Sequence, residues 1–101
     1  MTNQISNASS VVAAKDRIWC EMAGEAVILN LDSGVYYGLN PVGAWVWKLI
    51  QEPKIVSELL FSLLDTYEVA SERCETDLFS LLQELAANEL IVIDPGRNGN
   101  G

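Results

Sequence analysis

Apolar residues along the first half of the chain recur with a period of two. Ile18, Cys20 and Met22 alternate with Arg17, Trp19 and Glu21. After Ala23-Gly24-Glu25 the pattern resumes, with Val27, Leu29 and Leu31 alternating with Ala26, Ile28 and Asn30. Asp32-Ser33-Gly34 interrupts it, and Val35, Tyr37 and Leu39 then alternate with Tyr36 and Gly38. Alternation broken by short Gly-containing turns predicts three antiparallel strands, Arg17–Met22, Ala26–Leu31 and Gly34–Leu39. Gly34 can take the positive φ such a turn requires. Sequential pairing makes a meander, so the third strand is expected at an edge.

The period then changes. Asn40-Pro41 combines a favoured N-cap with a favoured first helical residue. Val42, Trp45, Val46, Leu49 and Ile50 follow at helical spacing, predicting a helix over Pro41–Gln51. Pro53 ends it. A second helix is expected over Lys54–Thr66, with an apolar stripe of Val56, Leu59, Leu60, Leu63 and Leu64. Ser71 reads as the cap of a third helix, with Glu72 and Glu75 in its first turn suiting the helix dipole. Its stripe is Cys74, Leu78, Leu81, Leu82 and Leu85, and it should close near Asn88 in a left-handed conformation. The resulting order is βββααα, an α+β, winged-helix-like arrangement with the helices on one face of the sheet. Val11–Ala14 and Leu90–Ile93 are short apolar runs expected to lie against this core. Residues 1–10 and 94–101 are polar or Gly-rich and read as flexible ends, leaving one domain over residues 11–93.

Composition narrows the function. A chain of 101 residues, half of them hydrophobic, can bury one core without metal or disulfides. The polar N-terminus carries no signal peptide, and no apolar run reaches the ~20 residues a membrane helix needs. A cytoplasmic protein with no membrane partner is expected. Cys20 and Cys74 then read as buried free thiols. The net charge is −8. Between Glu58 and Glu89, the acids Glu58, Asp65, Glu68, Glu72, Glu75, Asp77, Glu84 and Glu89 are set against one base, Arg73. Nucleic acid is a poor partner for such a surface, which argues against a winged-helix DNA binder.

Catalytic patterns are missing. The sequence has no histidine, so the commonest general base and zinc ligand are absent. There is no glycine-rich phosphate loop, and the carboxylates fall on solvated helix faces. An enzyme is not expected, nor is a metal or cofactor.

What remains is a surface. Val35-Tyr36-Tyr37-Gly38-Leu39 is an edge strand without charge or proline, the devices that usually blunt an edge. It suits pairing with an extended guest peptide. On pattern alone it is equally an ordinary strand covered by a chain terminus, or a dimerisation edge between two copies.

The ordered set Val27-Ile28-Leu29-Asn30-Leu31-Asp32, Ser33-Gly34, Tyr36-Tyr37, Leu39-Asn40, Gly43-Ala44 and Trp47 resembles the PqqD-like family. The likeness continues more loosely through Glu58-Leu59, Tyr67, Asp77, Leu81-Leu82, Leu85 and Leu90-Ile91. It implies a peptide chaperone or recognition element for the leader of a ribosomally made precursor peptide, in a lasso-peptide or related pathway. Such a protein presents the precursor to a separate modifying enzyme or leader peptidase. The leader would lie along Val35, Tyr36, Tyr37, Gly38 and Leu39, in the groove between this strand and the third helix. Asp77, Leu78, Leu81, Glu84 and Leu85 are the helix residues expected to meet it.

Overall fold

The junction between hairpin and helix forms where its residues place it. Asn40 is extended, and its side chain accepts a hydrogen bond from the Gly43 amide at 2.8 Å. Pro41 takes the first helical turn, where a missing N–H costs nothing. Before it, Asn30 Oδ1 accepts from the Asp32 amide at 2.9 Å, and Gly34 closes the turn at φ 74°.

The computed structural model describes residues 5–67 and 70–94. The elements are β1 (Ser10–Ala13), β2 (Arg17–Met22), β3 (Glu25–Asn30), β4 (Val35–Leu39), α1 (Pro41–Leu49), β5 (Lys54–Ile55), α2 (Val56–Thr66), α3 (Ser71–Ala87) and β6 (Ile91–Asp94). The class is α+β, with three helices and two three-stranded antiparallel sheets, β2-β3-β4 and β5-β1-β6.

The order βββααα therefore needs correction, because three further strands flank and interrupt the helices. Val11–Ala14 does more than lie against a sheet: β1 is the middle strand of its own, pairing Val11 with Lys54 on one side and Ile93 on the other. The run after α3 becomes β6 for the same reason, since an apolar segment packed beside another strand needs partners for its amides. Lys54 and Ile55 belong to β5 and not to the second helix. At the start of α2 the Val56 and Ser57 amides donate to the carbonyls of Ser9 and Asn7, so backbone upstream of β1 serves as the cap. Residues 1–4 and 95–101, expected to be flexible, lie outside the described residues.

Two predicted caps are also corrected. Ala70, not Ser71, is the N-cap of α3, and it makes no side-chain bond. Asn88 has φ −94°, and the left-handed residue is its neighbour Glu89 at φ 61°. The end of α3 is held by tertiary contact. The Arg17 guanidinium donates to the Glu89 carbonyl at 2.7 and 3.2 Å, placing a cation at the negative end of the helix dipole.

The core lies between the β2-β3-β4 sheet and the helices. Trp47 is wholly buried and meets the Trp19 ring edge-on, with centroids 6.4 Å apart. Trp19, Ile28 and Tyr37 form one cross-strand row on this inner face. Ile18, Leu29 and Tyr36 form a row on the opposite face, where Ile18 and Tyr36 stand exposed. Cys20 shares that outer face and is exposed, contrary to the expectation of a buried thiol, while Cys74 is buried; both are free. The reason is register: side chains two apart in a strand share a face, so Trp19 going inward sends Cys20 outward. Among the described residues no helix is long and apolar enough to cross a membrane.

Leu82 is fully enclosed on α3. Leu82→Ala should cost about 2–5 kcal/mol of unfolding free energy in urea titration. Ile18→Thr, on the exposed face, should stay within about 0.5 kcal/mol of the parent.

Candidate functional site

One neighbour only is hydrogen-bonded to β4. Its register with β3 runs from Ala26↔Leu39 to Asn30↔Val35, and no strand pairs with its other side among the described residues. The edge expected from the sequence is therefore open, apart from the Val35 amide, which donates to Ser33 Oγ at 3.2 Å. Successive residues of an antiparallel edge alternate between facing the partner strand and facing outward. Tyr36–Leu39 thus carries outward-facing donors and acceptors with no partner among the described residues.

α3 runs beside this edge. The Tyr37 hydroxyl donates to Glu84 Oε1 at 2.6 Å, joining strand to helix across the groove. Burial, together with the bond and charge of Glu84, pushes the Tyr37 phenol up to about 12. On either side of this contact lies a cavity. The larger, about 320 Å³, sits at the Leu39 end among Val42, Val46, Leu63, Tyr67, Leu78 and Leu81, with Arg73 and Asp77 also on its wall. Trp45 packs edge-on against Tyr67, with ring centroids 5.9 Å apart. The smaller cavity, about 230 Å³, sits at the Val35 end among Asn30, Ser33, Tyr37, Ala87, Asn88 and Glu89.

The expected site residues distribute as follows. Val35 is exposed and lines the smaller cavity, as does half-buried Tyr37. Tyr36 is 69% exposed on the sheet's outer face. A Cβ built on Gly38 would meet nothing within 4 Å, so packing inside the chain does not require glycine there. Leu39 is buried in the core. Leu78 and Leu81 line the larger cavity. Leu85 is fully buried and lines neither cavity, because its helical position turns it toward the sheet core. Asp77 is exposed and faces Arg73 at 3.8 Å, one turn back on α3. Such an exposed pair is worth little, so the carboxylate is available to another cation.

Sequence reading missed the cavity walls drawn from elsewhere: Asn30 and Ser33 in the turn, Val42 and Val46 on α1, and Leu63 and Tyr67 at the end of α2. Val42 was the detectable one, an exposed apolar residue beside a helix cap. Among the described residues no group of three or more His, Cys, Asp or Glu is placed to hold a metal.

Comparison with known proteins completes the site. The profile of Coenzyme PQQ synthesis protein D (PqqD) matches residues 25–91, the span that holds the edge strand, both cavities and α3. The chain belongs to the PqqD family. A solved structure described as TbiB1 in complex with the TbiA(beta) leader peptide superposes with a TM-score of 0.73. It is 31% identical, and the match covers 79% of this chain and 93% of that one. A second, lasso peptide synthetase B1 complexed with the leader peptide, has a TM-score of 0.72 at 21% identity, covering 81% and 96%. That likeness is one of fold. No curated protein matches the chain. Within this PqqD domain, α3 borders both cavities, while β4 borders the smaller and Asn40, the residue after it, borders the larger.

The Tyr37–Glu84 contact generates a pH test. The folded state holds the phenolic proton more tightly than the unfolded chain does. Its stabilisation is complete below the ordinary tyrosine value of 10.0 and is lost as pH rises through about 12. Urea titrations across this window should show a fall in stability that is shallower in Tyr37→Phe.

Proposed function

We propose that this PqqD-family protein is a non-catalytic adaptor that captures the leader of a ribosomally made precursor peptide and presents it to a separate modifying enzyme or leader peptidase. The observation that carries the reading is the open edge of β4 beside an apolar cavity. An incoming extended segment pairs its backbone with Tyr36–Leu39, which supplies affinity with little regard to sequence. Side chains directed toward α3 then enter the groove, and the larger cavity supplies discrimination. Such a cavity, of ~300 Å³ and walled by Val, Leu and Tyr, is at the small end of ligand pockets and fits an aliphatic or aromatic side chain. TbiB1, the 31% identical relative, holds a leader peptide. The exposed carboxylates of Asp77 and Glu84 favour a guest without excess negative charge. No bond is made or broken in this role, and no cofactor enters it. In this role the adaptor works in the cytoplasm, where a ribosomally made precursor is produced. A second copy of the chain is the competing occupant of the same edge.

Hydrogen exchange with the TbiA(beta) leader peptide as probe tests the docking mode. Protection should rise in Tyr36–Leu39 on binding. Proline at position 38 removes one amide from the edge strand. Gly38→Pro should weaken the peptide by at least about tenfold, ~1.4 kcal/mol, with circular dichroism unchanged. Equal affinity in a folded Gly38→Pro protein, with no protection in β4, refutes edge pairing. Sedimentation with and without peptide separates the adaptor from a self-pairing dimer.

A further inference from the structure

The smaller cavity has a feature that the larger one lacks. Asn30 lines it and is only 6% exposed. Its Oδ1 accepts from the Asp32 and Ser33 amides at 2.9 and 3.4 Å, which fixes the orientation of the carboxamide. Nδ2 is then left with two N–H donors and no acceptor among the described residues. Nδ2 is not sealed off but reaches solvent through the cavity, where a guest oxygen can take the place of water.

The chemistry of the wall restricts what that partner is. An acceptor oxygen is required for Asn30 Nδ2. A carboxylate would supply one, but it would face Glu89 and the negative end of the α3 dipole. The nearby Arg17 guanidinium is engaged by the carbonyls of Glu89 and Lys15 and is not part of the wall. An ammonium or guanidinium suits the negative end but has no acceptor to offer. A neutral group with both functions satisfies each side, its oxygen on Asn30 and its donor toward the Glu89 carboxylate. Val35, Ala87 and Leu90 supply the apolar remainder of a slot that admits one side chain.

Spacing follows from the strand. The two cavities lie toward opposite ends of β4, one bordered by Val35 and Tyr37 and the other by Asn40 just beyond Leu39. That separation is about four residues of extended chain at ~3.4 Å each. Both cavities open on the α3 side, so the guest residues that enter them share a face and stand an even number apart.

We propose that the cavity at the Val35 end is a second subsite, which takes a carboxamide or hydroxyl side chain of the guest, four positions from the residue whose apolar side chain fills the larger cavity. This rests on the edge-strand reading above and names the second determinant of the sequence that the site accepts.

The test uses the 101-residue chain and a displayed library of random dodecapeptides. Selection on the wild-type protein should enrich an apolar residue with Asn, Gln, Ser or Thr four positions away. Replacing that polar residue by Leu in a selected peptide should weaken it about fivefold or more. Asn30→Asp keeps the Oδ1 acceptor for the turn and exchanges the donor for an acceptor. It should shift the enriched residue to Lys or Arg and leave the apolar anchor in place. Ala87→Leu fills the cavity from an exposed helix position and should erase the preference at that position alone. It decides the matter if Asn30→Asp does not fold. An apolar anchor with free choice four residues away, or an unchanged preference in Ala87→Leu, overturns the second subsite and leaves the edge-strand reading standing. Failure to enrich any peptide overturns both.

Discussion

A hydrogen bond of 2.6 Å between Tyr37 and Glu84 is the point on which the groove depends. It ties an edge strand, which has one paired side, to a helix that reaches it from much later in the chain. An edge strand alone is a weakly held element, because half of its backbone groups look to solvent. Fastened to α3 on its inner face, β4 keeps its open edge and its position relative to the two cavities. The bond also shapes the groove. With Oε1 taken by the phenol, Glu84 presents its remaining oxygen, and the groove is divided into an apolar end and a polar end.

The rest of the fold holds α3 in register for that contact. Cys74, Leu78, Leu82 and Leu85 anchor the helix in the core, while Leu81 on the neighbouring stripe faces the cavity. Arg17 secures its C-terminal end from β2, and β6 leads the chain away into the second sheet. That second sheet makes no wall of the groove. Its contribution is to pin the chain on both sides of the helical layer: β1 before it, β5 at the start of α2, and β6 after α3. A helix whose two ends are held in this way is a stiffer wall than its own apolar stripe would make it.

The two faces of the β2-β3-β4 sheet differ in role. The inner face carries Trp19, Ile28 and Tyr37 onto Trp47 and α3. The outer face exposes Ile18, Met22 and Tyr36. A guest strand added at β4 would enlarge this sheet to four strands, with its side chains divided between the groove and the outer face by the same alternation that divides those of β4. In that arrangement the groove would meet only every second residue of the guest.

How far the sequence alone determined this protein follows from the range of each interaction. The hairpin, its turn at Gly34, the Asn40-Pro41 boundary and the three helices are local, set by alternation, caps and spacing within a few residues. They were legible for that reason, and so was the open edge, because a meander must end somewhere. The cap of α3 misled the reading, since Ser71 is a good cap by type while the chain enters the helix one residue earlier. β1, β5 and β6 escaped it because strands of two to four residues carry almost no period, and they exist only through pairing across more than forty residues of chain. The cavities escaped it for the same physical cause. Their walls join a turn, a helix start and two helix ends, and only packing in three dimensions decides that Asn30, Tyr67 and Ala87 belong to one groove.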